Sequence, residues 1–191
     1  VSACVPAGQQ PALAAQLVEV MQLALPEADG HHTPDGVAPL LAELERRGGA
    51  VVLGPGLGTS GDAARFARAF AGRAPAPLVL DADGLNAHAG ELEALGARTA
   101  PTIITPHEGE LGRLLGIPAA EVSARRLDSA RESARMSGAI VVLKGDDTLV
   151  ARPDGLVAVS PGAPAALATA GTGDVLAGVA GALLARGIDA F

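Results

Sequence analysis

The sequence predicts an α/β fold in which helices cover a mostly parallel central sheet. The first observation is that short apolar runs alternate with stretches whose apolar residues recur at helical spacing. The second is that the strand-like runs are apolar throughout, which is typical of strands buried on both faces. The third is that these runs end in turns rich in Gly or Asp, at the strand ends where open α/β sheets bind ligands.

The first half of the chain begins with a strand end and a long helical pattern. Residues 1–5 are predicted as a strand, and residues 11–25 as a helix because their apolar positions recur at helical spacing. His31 and His32 lie in a polar loop and are expected to face solvent, because no other metal ligand accompanies them. The remaining elements of this half are a helix over residues 39–47, a buried strand over 50–53, a helix capped by Ser60 and ending near Ala71, and a strand over 77–80.

The second half continues the alternation and ends in an apolar helix. The predicted elements are a strand over residues 102–104, helices over 110–115 and 123–136, a buried strand over 139–143 and a hairpin over 148–159. The Ala-rich run after Asp174 predicts a buried helix. The adjacent arginines at 46–47 and 125–126 are expected on solvated helix faces, whereas Glu108 and Glu110 suit the N-terminus of a helix electrostatically.

The composition restricts the classes of partner. A chain of 191 residues with 49% hydrophobic content suits one domain with a large core, here built without Trp or Tyr. A net charge of −7 argues against nucleic acid or an anionic membrane as the main partner. Cys4 is the only cysteine, which excludes a disulfide within the chain. The sequence has neither a long apolar run nor a signal peptide pattern, so a cytoplasmic protein is expected.

The segment over residues 171–174 predicts a phosphate-binding loop. Gly171 and Gly173 flank Thr172, and Asp174 follows directly before the apolar helix. Glycines let backbone N–H groups turn toward a ligand, and a helix start adds about half a positive charge, so such a place binds phosphate. A carboxylate beside phosphate makes chemical sense if it takes a proton from an attacking hydroxyl. The alternative is that Asp174 only caps the helix.

Lys144 is the only lysine, and the other cations among the 14 Lys and Arg residues are arginines. It follows the buried strand and opens a turn made of Lys144, Gly145, Asp146, Asp147 and Thr148. In an acidic protein, a cation at this edge of the sheet can neutralise nucleotide phosphates, and the glycine allows close approach of a ligand to the backbone. The alternative is that its placement is chance.

Five Gly- or Asp-bearing motifs follow one another along the chain: GPGLG (54–58), DADGLN (81–86), TPHEGE (105–110), KGDDT (144–148) and GTGDVLAG (171–178). Together they resemble the ribokinase-like domain of the ADP/ATP-dependent NAD(P)H-hydrate dehydratases, over nearly the whole chain. GTGD alone is shared by many ribokinase-like kinases, whereas the ordered set is specific. The resemblance implies a ribokinase-like three-layer sandwich with a mostly parallel central sheet.

The resemblance also implies a repair reaction on the S epimer of NAD(P)H hydrate. ADP phosphorylates the ring hydroxyl, and the phosphate leaves as the ring double bond re-forms, giving NAD(P)H, AMP and phosphate. Asp174 is implied as the base at the hydroxyl and as a contact of the hydrate, together with Gly56 and His107. The residues implied to hold the nucleotide are Lys144, Gly145, Asp146, Asp147, Thr148, Gly171, Thr172 and Gly173.

Further implications concern cofactors, partners and extent. ADP or ATP is implied as co-substrate with Mg²⁺, for which no residue is assigned; Asp81 and Asp83 are interpreted as orienting Asn86 and its loop. The resemblance implies a homo-oligomer, a tetramer in the family, and fusion to an N-terminal epimerase domain in many bacteria. The family domain is longer at both ends, so residues 1–191 are expected to form a single truncated domain.

Two other functions remain open at this point. A small-molecule kinase of the same superfamily would share the fold and Asp174 but leave its product phosphorylated. A nucleotide-binding module without turnover is the second alternative. GPGLG and TPHEGE favour the dehydratase over the kinase, and the presence of both Asp174 and Lys144 argues against the module.

Overall fold

The computed structural model describes residues 1–162, 164 and 167–191. Within them the strands are β1 (Ser2–Pro6), β2 (Met21–Leu25), β3 (Glu27–Ala28), β4 (His31–His32), β5 (Val51–Leu53), β6 (Leu78–Leu80), β7 (Thr102–Ile104), β8 (Ile140–Leu143), β9 (Thr148–Ala151) and β10 (Val157–Ser160). The helices are α1 (Gln10–Gln16), α2 (Val37–Arg47), α3 (Gly61–Arg73), α4 (Asp83–Asn86), α5 (Glu108–Leu115), α6 (Ala119–Ala124), α7 (Arg126–Ser137) and α8 (Thr172–Ala185). None of the helices in the described residues has the length and apolar character that crossing a membrane requires.

A six-stranded sheet in the order β10-β9-β8-β7-β6-β5 forms the centre of the molecule. Strands β5 to β8 are parallel, and β9 and β10 add an antiparallel hairpin at one edge. The predicted α/β class with a mostly parallel sheet is confirmed. Because β5 to β8 run in one direction, the loops that follow them meet at the same edge of the sheet.

Side chains of the parallel strands alternate between two apolar layers, which gives the predicted three-layer arrangement. On one face, Leu78, Leu80 and Ile104 join the main core with Phe66 and Phe70 of α3. The opposite face packs against α8, where a second cluster contains Val79, Ile103, Ala177 and Leu184. Burial on both faces explains why these strands are apolar throughout.

Helix α8 is buried on one face only, so the prediction of a buried helix is wrong for the other face. Gly181 lets α8 lie close to the sheet, since a Cβ there would stand 2.5 Å from Val52 Cγ2. On the outer stripe, Val175, Val179 and Leu183 are 66%, 52% and 43% exposed. The helix is apolar around most of its circumference, and periodicity cannot show that only one stripe meets the sheet.

The N-terminal segment departs from the predicted helix over residues 11–25. Helix α1 ends at Gln16, and β2 pairs in parallel with β1, with Cys4 opposite Leu23. Pairing with the preceding strand thus overrides the local helical spacing. The predicted solvent exposure of His32 is also wrong: the residue is 6% exposed, and its ring stacks on Phe66 at 4.9 Å between centroids.

The other elements agree with the sequence to within a few residues. Ser60 caps α3, since its Oγ accepts a hydrogen bond from the N–H of Ala63 at 3.1 Å. The helix predicted over residues 123–136 is divided into α6 and α7, with Arg125 between them in a non-helical conformation.

Candidate functional site

The backbones of the loops after β5 and β6 are in direct contact at the carboxyl edge of the sheet. Gly54 has φ +130°, and a Cβ there would lie 2.5 Å from the Gly84 nitrogen. A Cβ on Gly84 would in turn lie 2.5 Å from the Leu53 carbonyl oxygen. Both positions therefore require glycine, and the GPGLG and DADGLN loops are held in fixed contact.

Asp83 joins these loops by hydrogen bonds. Its Oδ2 accepts from the N–H of Gly58 at 2.9 Å, and its Oδ1 accepts from the Asn86 amide at 3.3 Å. Arg113 of α5 then donates to Asn86 Oδ1 at 2.8 Å. Asp83 has the orienting role that the sequence suggested, with Gly58 as an additional partner.

Lys144 lies between two buried carboxylates. Its Nζ is 3.0 Å from Asp81 Oδ1 and 3.6 Å from Glu110 Oε2, and the side chains of these acids are only 2% and 8% exposed. Thr105 donates its hydroxyl to the same Asp81 oxygen at 2.7 Å. An ammonium has three N–H donors, and of these two contacts only the one with Asp81 is within hydrogen-bond distance, so N–H donors remain for a further acceptor. Asp81 is thus a partner of Lys144 and Thr105, not of Asn86.

The glycine-rich loop lies beside this ammonium. A Cβ on Gly173 would stand 3.7 Å from Lys144 Nζ and 3.7 Å from Asp81 Oδ2. The structure therefore brings the KGDDT and GTGD motifs together, although Gly173 follows Lys144 by 29 positions in the sequence. Backbone N–H groups at the start of α8 and a lysine converge there, which is the chemistry that an anion needs.

Asp174 is exposed in the first turn of α8, next to this glycine loop. Gly171, with φ +89°, occupies the N-cap position, and no side chain of the described residues caps the helix. The capping interpretation of Asp174 is therefore wrong. Thr172 donates its hydroxyl to the carbonyls of Leu167 and Thr169 at 3.0 and 2.9 Å, which anchors the loop.

His107 caps helix α5, a role that sequence reasoning missed. Its Nδ1 accepts from the N–H groups of Gly109 at 2.9 Å and Glu110 at 3.2 Å, and Glu110 Oε2 accepts from the N–H of His107 at 2.8 Å. This is a capping box with histidine in place of serine. Because Nδ1 is an acceptor, the neutral ring carries its proton on Nε2. The side chain is 54% exposed, so Nε2–H can donate to a ligand.

A cleft of about 580 Å³ lies beside the turn after β8. This volume falls within the range of about 300–1,000 Å³ that is typical of small-molecule sites. The lining residues come from the TPHEGE and KGDDT motifs and from α6 and α7: His107, Glu108, Gly109, Ala119, Arg126, Lys144, Gly145, Asp146 and Asp147. Thr148 begins β9.

Arg126 and Glu110 belong to the site although the sequence analysis gave them other roles. Arg126 was predicted on a solvated face, but its guanidinium pairs with Glu108 at the cleft and its side chain is 22% exposed. The neighbouring Arg125 does point outward, in an exposed pair with Glu121. The sequence alone does not show which of the two adjacent arginines faces the cleft. Glu110, which suits the start of α5 electrostatically, also contacts Lys144.

Gly56 stands at the open part of the GPGLG loop. It has φ +70°, and a Cβ there would meet no atom of the described residues within 4 Å. A glycine at position 56 is thus explained by backbone conformation and by space for a ligand, and not by packing. Among the described residues, no group of three or more His, Cys, Asp or Glu side chains is arranged to hold a metal ion.

A mostly parallel sheet with a glycine loop at its carboxyl edge defines the class, which is the ribokinase-like fold. A ribokinase-like superfamily protein from Enterococcus faecalis superposes with a TM-score of 0.73, covering 97% of this chain and 61% of that chain at 22% identity. The family is more specific. Residues 8–191 match the profile of the family Carb_kinase, described as NAD(P)H-hydrate dehydratase. The chain belongs to this family.

Individual relatives agree with this assignment. A bifunctional NAD(P)H-hydrate repair enzyme from Gloeobacter violaceus is 48% identical over 181 residues, which are 92% of this chain and 34% of that protein. An ADP-dependent (S)-NAD(P)H-hydrate dehydratase from Neisseria meningitidis is 44% identical over 145 residues, which are 74% of this chain and 49% of that protein. The chain thus spans about a third to a half of the length of these relatives.

A solved structure shares both fold and family. The ADP/ATP-dependent NAD(P)H-hydrate dehydratase from Bacillus subtilis, co-crystallised with ATP and Mg²⁺ and soaked with CoA, superposes with a TM-score of 0.70. It is 30% identical and covers 94% of this chain and 61% of that chain.

Proposed function

We propose that this chain carries out the ADP-dependent dehydration of the S epimer of NAD(P)H hydrate. One observation carries the proposal: the Lys144 ammonium, the buried Asp81 and the glycine loop before Asp174 meet at the carboxyl edge of the sheet. Such a place suits a phosphoryl group with a carboxylate at hand. Family membership and the name of the N. meningitidis relative, an ADP-dependent (S)-NAD(P)H-hydrate dehydratase, support the same reaction.

The reaction needs phosphoryl transfer because hydroxide is a poor leaving group. The ring hydroxyl oxygen attacks the terminal phosphorus of ADP, and the bond to the AMP oxygen breaks. The carbon–oxygen bond of the phosphorylated hydrate then breaks, phosphate leaves with the bonding electrons, and a ring proton is lost as the double bond forms. NAD(P)H, AMP and phosphate result.

Asp174 takes the hydroxyl proton in this proposal. Its carboxylate is exposed beside the loop and is not engaged in capping, so it can approach a bound hydroxyl. The N–H groups of Gly171, Thr172 and Gly173 hold the charge that develops on the transferred group, which for one donor elsewhere is worth about 3–4 kcal/mol. Gly56 leaves space for the hydrate, and His107 Nε2–H donates to it.

The nucleotide lies in the cleft beside the turn from Lys144 to Thr148. Lys144 gives one of its remaining N–H groups to a phosphate while Asp81 and Glu110 hold its position. Backbone groups of Gly145, Asp146 and Asp147 contact the rest of the nucleotide. ADP is proposed as the co-substrate because the N. meningitidis relative is an ADP-dependent dehydratase by name.

Mg²⁺ is proposed to reach the site with the nucleotide. The described residues offer no cluster of three ligands, and Mg²⁺ is commonly held by substrate phosphates with one or two carboxylates and waters. The exposed Asp146 at the cleft is a suitable protein carboxylate. The ion would screen the negative charge between this acidic protein and ADP.

We also propose that the chain forms a homo-oligomer and is one part of a longer repair enzyme with an epimerase domain. The exposed apolar stripe of α8 supports a contact with further polypeptide. The G. violaceus relative is named as a bifunctional enzyme, and this chain covers 34% of it, which supports the proposal of a longer repair enzyme.

The function is tested by measuring three products from ADP and purified S-epimer hydrate. We expect AMP, phosphate and NADH in equal amounts, and no phosphate when the hydrate is omitted. A phosphorylated product that accumulates would instead indicate a kinase. Nucleotide binding without any product would indicate a binding module.

A further inference from the structure

We propose that Arg126 is a positioning residue that holds the nucleotide-binding turn in its working conformation. The inference rests on the proposed function, since it concerns the turn assigned to ADP. Arg126 begins helix α7, so its backbone is fixed by a regular element that packs on the sheet. Its guanidinium reaches from that element to the turn after β8.

The guanidinium bonds to backbone carbonyls on both sides of the turn. Arg126 Nη2 donates to Asp147 O at 2.8 Å and lies 3.4 Å from the carbonyl oxygens of Leu143 and Lys144. These three oxygens belong to the last residue of β8 and to the turn itself. A planar guanidinium can serve several acceptors at fixed angles, which an ammonium on a flexible stem cannot.

The other side of the guanidinium is fixed by Glu108. Arg126 Nη1 donates to Glu108 Oε1, while Ser123 donates its hydroxyl to Glu108 Oε2. The Ser123 hydroxyl, and after it Arg126, lower the pKa of the Glu108 carboxyl below its ordinary value. Arg126 therefore links the TPHEGE segment to the KGDDT turn through a carboxylate that stays ionised.

The guanidinium of Arg126 occupies the space that a side chain at position 145 would need. A Cβ on Gly145 would lie 2.7 Å from Arg126 Nη1 and 2.8 Å from Cζ, closer than real contacts allow. Gly145 is not among the residues with positive φ, so its backbone conformation alone would accept alanine. An alanine at position 145 would therefore displace the guanidinium from its place across the turn.

The first experiment compares ADP affinity by calorimetric titration in Arg126→Ala, Arg126→Lys and Arg125→Ala. Arg125 is a matched control, because it is the adjacent arginine and makes only an exposed pair with Glu121. We expect both Arg126 variants to weaken ADP binding about 10- to 100-fold, as the loss of a few charge-assisted hydrogen bonds implies. The KM for the hydrate should change less than the affinity for ADP, since Arg126 meets the TPHEGE segment at Glu108 and bonds mainly to the turn after β8. Unchanged ADP affinity in Arg126→Ala would overturn the proposal.

The second experiment is a double-mutant cycle with Gly145→Ala, read by thermal unfolding without nucleotide and by ADP affinity. In the parent, the added methyl should displace the guanidinium and reproduce the effects of Arg126→Ala. In the Arg126→Ala background, the same change should not lower the unfolding temperature further, because the obstructing group is gone. If Gly145→Ala lowers the unfolding temperature equally in both backgrounds, or if only ADP affinity is coupled, Arg126 does not act by positioning the turn.

These outcomes are separate from those that test the proposed function. A parent protein that binds ADP but yields no phosphate with the hydrate contradicts the dehydratase reaction alone. The nucleotide-free arm of the cycle still decides whether Arg126 and Gly145 pack against each other as described.

Discussion

Lys144 shows how a single side chain combines two tasks at the residue scale. Its ammonium compensates Asp81 and Glu110, both of which are buried, and it also lies beside Gly173. The lone lysine of an otherwise arginine-based chain thus lies at the centre of the candidate site. Its ion pairs with two carboxylates could not be predicted, because Asp81 and Glu110 come from distant parts of the sequence.

The first prediction concerns this ion cluster. Lys144→Met should destabilise the protein by up to about 3 kcal/mol, because it leaves buried carboxylates without their cation. Combining it with Asp81→Asn should recover part of that loss, since one uncompensated charge is removed as well. Urea unfolding of the parent, both single variants and the double variant checks this. Additive losses would mean that the two residues do not interact.

The second prediction concerns buried histidines and pH. Burial lowers the pKa of His32 and of His88 below the ordinary value of 6.5, with the Gly84 carbonyl offsetting this in part for His88. The unfolded chain therefore takes up protons first, and stability that is complete above pH 6.5 is lost as the pH falls below it. Urea unfolding at pH 7.5 and pH 5.5 measures the loss.

His32→Phe serves as the control for this pH dependence. A phenyl ring can keep the stack on Phe66 but cannot be protonated. The variant should therefore lose less stability on acidification than the parent. An equal loss in both proteins would assign the acid sensitivity to other groups.

At the scale of single elements, the sequence predicted the parallel strands well and the N-terminal region poorly. Strands β5 to β8 are short apolar runs that end in Gly or Asp turns, and each lies within a residue of its predicted position. Strand β2 was missed because the apolar spacing over residues 11–25 suits a helix, and only the pairing with β1 shows that its second half is a strand. The local pattern of residues does not encode such pairing.

Residues at the starts of two helices have roles in the candidate site that the sequence did not predict. The capping role of His107 depends on a ring nitrogen meeting two N–H groups, a geometry that no sequence spacing encodes. Arg126, in the first turn of α7, reaches Glu108 and the turn after β8, two contacts that the sequence does not show. By contrast, the glycine loop before α8 was predictable, because glycines before an apolar helix have few other uses.

The third prediction separates two glycines of the GPGLG loop. Gly54→Ala should prevent stable folding, because its methyl would meet the rigid backbone of the neighbouring loop. Gly56→Ala should cost only about 1–2 kcal/mol of conformational strain and should raise the KM for the hydrate. Soluble yield and thermal unfolding check the first change, and steady-state kinetics checks the second. Equal stability of the two variants would contradict this assignment.

At the scale of the whole molecule, the two faces of the sheet are covered unequally. Several helices cover the face with Phe66 and Phe70, whereas α8 covers the other face and leaves an apolar outer stripe. Sequence composition predicted a large apolar core but not this imbalance. Such a stripe favours association with another polypeptide.

The fourth prediction follows from that stripe. If the chain is a homo-oligomer through α8, Val179→Glu should lower its mass in sedimentation equilibrium, because a charge would have to be buried at the contact. Leu156→Glu is the control, since Leu156 is 51% exposed in the segment between β9 and β10. Loss of mass with the control alone would place the contact elsewhere.

The measurement that tests the central claim most directly is the rate of phosphate release from ADP and the S-epimer hydrate in the parent and in Asp174→Asn. The amide keeps the shape of the side chain but cannot accept the hydroxyl proton. We expect the turnover rate to fall by about 10²–10⁴-fold while ADP affinity, measured by titration, stays within about two-fold. Turnover above roughly a hundredth of the parent rate would contradict a general-base role for Asp174.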